Sequence, residues 1–179
     1  TLDGLTLTSA GTVTIGTLPT DGDTLDVTDT TATSTNTTIT TATANQTITL
    51  NAVTTLTRNL TMSSGTAALT VNNTVDGSGP DVGQFVLNNS GAGANGTHIN
   101  ADIGPTNRLA RLETDNGTGA DETIWGNAAP GKSYEIRADI VSFGDDLELN
   151  AEPGQTLTII DTLDNAVNPD IGFGGTVDG

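Results

Sequence analysis

The feature that most constrains this chain is a strict alternation of apolar and polar residues that recurs along its length. Leu5-Thr6-Leu7-Thr8, Thr12-Val13-Thr14-Ile15, Thr24-Leu25-Asp26-Val27-Thr28 and Thr47-Ile48-Thr49-Leu50-Asn51 all have a period of two. Leu60-Thr61-Met62, Leu69-Thr70-Val71-Asn72, Tyr134-Glu135-Ile136-Arg137, Asp146-Leu147-Glu148-Leu149-Asn150 and Thr156-Leu157-Thr158-Ile159 repeat it. Successive side chains of a strand point to opposite faces, so each run offers an apolar face inward and a polar face outward. Clusters such as Asp76-Gly77-Ser78-Gly79-Pro80 and Asn116-Gly117-Thr118-Gly119 separate the runs and read as turns. No stretch carries apolar residues at helical spacing. The 36 Thr of the 179 residues favour strand as well, because a β-branched side chain suits a pleated surface.

Spacing turns these strands into an architecture. One apolar anchor per segment gives Leu5, Leu25, Ile48, Leu69, Phe85, Leu109, Tyr134 and Leu157, at intervals of 20, 23, 21, 16, 24, 25 and 23. A loose period in this range is that of a β-solenoid, one coil per repeat. The expectation is an all-β, right-handed parallel β-helix of about eight coils, a rod roughly 40 Å long. The alternative is an antiparallel β-sandwich or jelly roll, which shares the alternation and the closely spaced pairs. One domain over residues 1–179 is expected, with a Thr-rich half (1–79) and an acidic half (80–179).

Charge and cysteine content narrow the function. The formal net charge is -17, from 22 Asp and Glu against 5 Lys and Arg. Such a chain repels phosphate, so nucleic acid is not an expected partner. No apolar run is long enough to span a bilayer. With no Cys and a single His, His98, zinc and thiol chemistry have no ligands or nucleophile. Ser63, Ser64, Ser78 and Ser90 lack the context of a nucleophile elbow. Gly91-Ala-Gly-Ala-Asn-Gly96 lacks the Gly-Lys-Ser/Thr ending of a phosphate loop.

Three kinds of site remain as candidates. Asp21, Asp23, Asp26 and Asp29 place four carboxylates in nine residues and are candidate Ca²⁺ ligands, although the EF-hand pattern is incomplete. Trp125 and Tyr134, the one aromatic neighbourhood, are candidate interface residues. Asn36, Asn45, Asn59, Asn72, Asn88, Asn95 and Asn116 stand in Asn-x-Ser/Thr sequons and are candidate glycosylation sites in an exported protein.

The stretch from Asn73 to Thr97 reads as turn, strand, Gly-rich turn and strand, and continues through Ile103-Gly104-Pro105 to Arg108-Leu109-Ala110-Arg111-Leu112. A Gly after a strand followed by Leu-x-x-Leu resembles the repeats of filamentous-haemagglutinin-like and autotransporter-like bacterial surface adhesins. The resemblance covers residues 70 to about 165 and implies a parallel β-helix, export, and a structural or adhesive role; it implies no catalytic residues. Those proteins are long and capped. A short solenoid beginning at Thr1 is therefore expected to be a unit of a longer chain or of an assembly, and Thr176-Val-Asp-Gly179, Thr74-Val-Asp-Gly77 and Thr1-Leu-Asp-Gly4 echo one another.

The functional expectation is a non-enzymatic, extracellular or cell-surface building block of a fibre, sheath or surface layer, with itself as partner and Ca²⁺ as a possible ion. The alternatives are an adhesin segment that binds glycan or a host surface, and a polysaccharide-active enzyme using paired carboxylates. A high-salt habitat would account for the acidity separately.

Overall fold

The computed structural model describes residues 5–8, 24–27, 30–33, 37–40, 47–51, 53–114, 121–127, 132–160 and 171–179. Among these residues are nineteen strands, numbered in chain order, and one 3₁₀ turn at Gly93–Asn95. Every strand pairing among the described residues is parallel, so the antiparallel sandwich is not the fold. The chain winds as a β-solenoid with three walls.

The first wall is a seven-stranded sheet. It stacks β2 (Thr24–Val27), β5 (Thr47–Leu50), β8 (Leu69–Val71), β11 (Thr97–Ile99), β13 (Glu122–Trp125), β16 (Asp146–Leu149) and β19 (Val177–Asp178). The second wall has β1 (Leu5–Thr8), β3 (Thr30–Thr33), β6 (Thr54–Leu56) and β9 (Val75–Gly77). It continues by single bridges through Ile103 to β14 (Tyr134–Arg137) and then β17 (Leu157–Ile160). The third wall stacks six strands: β4 (Thr37–Thr40), β7 (Leu60–Gly65), β10 (Gln84–Asn89), β12 (Arg111–Thr114), β15 (Val141–Phe143) and β18 (Ile171–Phe173). The chain visits the walls in a fixed cycle. Among the described residues, every turn from β2 to β18 carries a strand or bridge on all three walls.

The described residues do not confirm eight coils, and the register explains why. Leu25, Ile48 and Leu69 do stack on the first wall, and Tyr134 and Leu157 on the second. Phe85 belongs to the third wall, so the eight anchors mix walls. True rungs on the third wall run Leu60, Phe85, Leu112, Val141, Ile171, in steps of 25, 27, 29 and 30 residues. Turn length differs from wall to wall and from turn to turn, from 21 residues between Ile48 and Leu69 to 33 between Ile103 and Ile136, because the corners differ in length.

Inward columns form one continuous core. Ile39, Met62, Leu87, Thr114 and Phe143 align on the third wall; Leu50, Val71, Ile99 and Trp125 align on the first. All of these are buried. Phe143 stacks on Phe173 of the next rung, with ring centroids 5.7 Å apart. Thr is not confined to the outside. Thr49, Thr61 and Thr70 face outward as expected, but Thr54, Thr97, Thr114 and Thr123 are buried. Thr has nearly the shape of Val, and a buried hydroxyl is accommodated once hydrogen-bonded: Thr123 Oγ1 donates to Thr114 Oγ1 at 2.9 Å. The echoed tetrapeptide marks no repeat, because Val75–Gly77 lies on the second wall and Val177–Asp178 on the first.

Candidate functional site

Polar side chains of the described residues are directed chiefly along the axis of the solenoid, from one turn to the next. The clearest case follows the first wall. Asn51, Asn72 and Asn100 each come directly after a strand, β5, β8 and β11. Asn72 Nδ2 donates to Asn51 Oδ1 at 2.9 Å, and Asn100 Nδ2 to Asn72 Oδ1 at 3.0 Å. Their backbone amides donate to Leu50 O and Val71 O of the preceding rung. Gly126 takes the next place with a left-handed φ of 92°, and Asn150 the one after, its amide donating to Trp125 O at 3.0 Å.

Carboxylates are used in the same way. Asp76 Oδ1 accepts from the amides of Thr106 and Asn107, at 3.0 and 3.1 Å. Asp102 Oδ1 accepts from Glu135 N at 2.8 Å, and Glu122 Oε2 from Gly93 N at 2.7 Å. Asp146 Oδ1 accepts from Thr176 N at 2.7 Å and Thr176 Oγ1 at 2.9 Å, which holds its carboxyl below the usual range. Burial pushes Asp102 upward, opposed by Lys132 and reinforced by Asp76. The separations in sequence, 29 to 33 residues, correspond to one turn. Asp76, Glu122 and Asp146 thus satisfy backbone donors at a corner of the adjacent turn, and Asp102 satisfies one within β14.

Of the described cations only Arg108 bridges turns, whereas Arg111 and Arg137 pair with carboxylates two residues away on their own strands. Arg108 pairs with Asp81 and Asp139, Arg111 with Glu113 at 2.7 Å, and Arg137 with Glu135. Lys132 Nζ stands 4.9 Å from the centre of the Tyr134 ring. A sharp bend at Gly104, φ 69°, brings the Arg108 corner against β14. A Cβ at Gly104 would meet the Arg137 carbonyl oxygen and, at 3.0 Å, Arg108 Cα.

One open cleft of about 510 Å³ lies along the last turns of the first wall, lined by Glu122, Asp146, Glu148 and Asp178 among others. No aromatic side chain lines it. Among the described residues no group of three or more His, Asp or Glu is arranged to hold a metal ion.

The expected site residues fall as follows. Asp21, Asp23 and Asp29 lie outside the described residues; Asp26 lies in β2, where only the backbone is described. Trp125 and Tyr134 are each 2% exposed and belong to the core, so neither presents a face to a partner. Tyr134 keeps its hydroxyl satisfied by donating to Asn127 Oδ1 at 2.6 Å. Of the sequons, Asn36, Asn45 and Asn116 lie outside the described residues. Asn72 and Asn95 are exposed, while Asn59 and Asn88 are half-buried. Asn59 Oδ1 accepts from Gln84 N, and Asn72 is a rung of the ladder. His98 faces outward from β11 between Thr70 and Ile124. No described helix is long and apolar enough to cross a membrane.

Compared with protein-family models, with curated proteins and with solved structures, the chain matches none.

Proposed function

We propose that this chain is a structural building block, a β-solenoid segment of an extracellular fibre, sheath or surface layer that extends by end-on or lateral self-association. The observation that carries the reading is the direction of the polar bonds. The asparagine ladder, the carboxylate-to-backbone bonds and the Asp81–Arg108–Asp139 cluster all join one turn to another. A catalytic or binding surface would instead leave convergent polar groups free toward a ligand. The solenoid is taken as right-handed, the hand that parallel strand connections adopt.

The last described rung supports the same reading. β18 and β19 each pair on one side only among the described residues, and Phe173 and Val177 there are 48% and 46% exposed. Such an edge can pair with a parallel strand of a neighbouring copy. The acidic surface makes assembly dependent on salt or on divalent ions such as Ca²⁺, which screen the self-repulsion. The adhesin alternative has less support, because sugar recognition commonly uses exposed aromatic platforms and the open cleft has none.

Sedimentation over a concentration series, beside a glycan-binding screen, tests the proposal. Growth in mass with concentration and salt, without glycan binding, is the expected result. A monomer at every concentration that binds a defined glycan would overturn it.

A further inference from the structure

Asp81 precedes β10, Arg108 precedes β12 and Asp139 precedes β15, three successive strands of the third wall. The three residues therefore occupy one corner in three consecutive turns. The backbone ties them: Asp81 N donates to Arg108 O at 3.1 Å, and Asp139 N to Leu109 O at 3.0 Å. The Arg108 guanidinium lies between the two carboxylates. Its Nη2 donates to Asp81 Oδ2 at 2.7 Å, its Nε is paired with Asp81 Oδ1, and Nε is 2.9 Å from Asp139 Oδ1.

The two carboxylates differ in surroundings. Asp139 has a side-chain exposure of 13%, Asp81 one of 38%. Asp81 also has a φ of 60°, the one positive φ outside glycine among the described residues. A left-handed backbone at Asp carries strain that the surrounding contacts must hold in place, and such positions concentrate where a side chain has to be aimed. Here the aim is at Arg108.

Two carboxylates around a single guanidinium cannot both ionise without leaving one negative charge uncompensated. Burial and the neighbouring Asp81 carboxylate push Asp139 up to about 6 against the pull of Arg108. The hydrogen bond from Arg108 holds Asp81 below the usual carboxylate range. Other charges around this corner are already engaged. Arg137 on β14 lines a cavity of about 180 Å³ with Pro80, Thr106, Asn107 and Arg108, and is paired with Glu135. Arg111 on β12 is paired with Glu113, and Asp76 on β9 with the amides of Thr106 and Asn107. Beyond Asp139, residues 161–170, which include Asp161, Asp164 and Asp170, lie outside the described residues.

We propose that Asp81, Arg108 and Asp139 form a proton-operated latch across three turns of the solenoid, closed while one of the two carboxylates is protonated and loosened when both are ionised. The sign follows from each group. Asp139, with its folded value raised, contributes stability that falls as pH rises from the ordinary carboxylate range through about 6. Asp81, with its folded value lowered, contributes stability that is lost as pH falls below the ordinary range. The latch is therefore tightest in mild acid and loosens toward neutrality.

Carboxyl ¹³C NMR titration of the whole chain, with hydrogen-exchange protection at the amides of Asp81, Leu109, Ala110 and Asp139, tests the latch. One Asp carboxyl is expected to titrate near pH 6. Asp139→Asn removes that titration, and Asp81→Asn, which keeps a residue tolerant of positive φ, moves it down toward ordinary carboxylates. Corrected for intrinsic rates, protection at the four amides falls several-fold between about pH 5 and about pH 7.5, and Asp139→Asn flattens the fall. The proposal is overturned if no Asp of the unmodified chain titrates above about pH 5, or if Asp81→Asn leaves the titration in place, or if protection is independent of pH. The unmodified chain decides the matter even if a variant fails to fold.

Discussion

Asn72 Nδ2 donates to Asn51 Oδ1 across 2.9 Å, although 21 residues separate them in the chain. The pair lies where the first wall ends and the chain turns a corner, and Asn100 extends it by another turn. Stacked amides repeat one donor–acceptor geometry at the rung spacing, so each Asn reports the register of its neighbours. Asn72→Ala removes both ladder bonds at a solvent-exposed position. A loss of about 1 kcal/mol in urea denaturation is expected. Asn100→Ala breaks one ladder bond and should cost less.

A buried amide should matter more. Asn89 is 2% exposed, at the point where the pairing of β10 with β7 shifts register from Asn88 to Asn89. Its Nδ2 donates to Ser64 Oγ at 2.9 Å and to Ala67 O, and its Oδ1 accepts from Gly91 N at 2.6 Å. Truncation leaves backbone groups unsatisfied in the interior and opens a cavity beside them. Asn89→Ala should cost about 3 kcal/mol, measured in the same denaturation experiment.

Thr114 and Thr123 provide a test of the polar interior. Both are fully buried and bonded to one another. Either single change to Val leaves one hydroxyl without that partner and should cost about 1–2 kcal/mol. The double change to Val removes both hydroxyls at nearly constant volume. It should cost less than the sum of the singles, with a coupling of about 1 kcal/mol in the double-mutant cycle. Strict additivity would mean that the two hydroxyls do not depend on each other.

Much of the wall structure was legible in period-two runs, because burial of one strand face imposes that pattern directly. Leu60-Thr61-Met62 and Leu69-Thr70-Val71 have the expected faces. β13 escaped notice because Thr123, Ile124 and Trp125 are all buried, which erases the alternation. Ile103 and Leu109 join their neighbours by single bridges, too short for any period to register. The number of turns was not legible because corners of varying length set the repeat, and Gly, Asn and Asp in a corner do not state which wall follows. The Thr-rich stretch reads as wall at Thr30–Thr33 and Thr37–Thr40.

The longitudinal polar network was largely hidden. Asp81, Arg108 and Asp139 are 27 and 31 residues apart, and no local pattern links them until the register is known. Asn at the end of a strand suggested only a turn. Trp125 and Tyr134 look like contact residues in so aromatic-poor a chain, yet both are buried in the core.

The central claim is that this solenoid is a unit of an assembly, and electron microscopy of the concentrated protein, with and without Ca²⁺ and with a chelator, tests it most directly. The account predicts filaments or sheets favoured by salt or Ca²⁺, with the roughly 4.8 Å rung spacing along the solenoid axis. Isolated particles of monomer size under all of these conditions would contradict it.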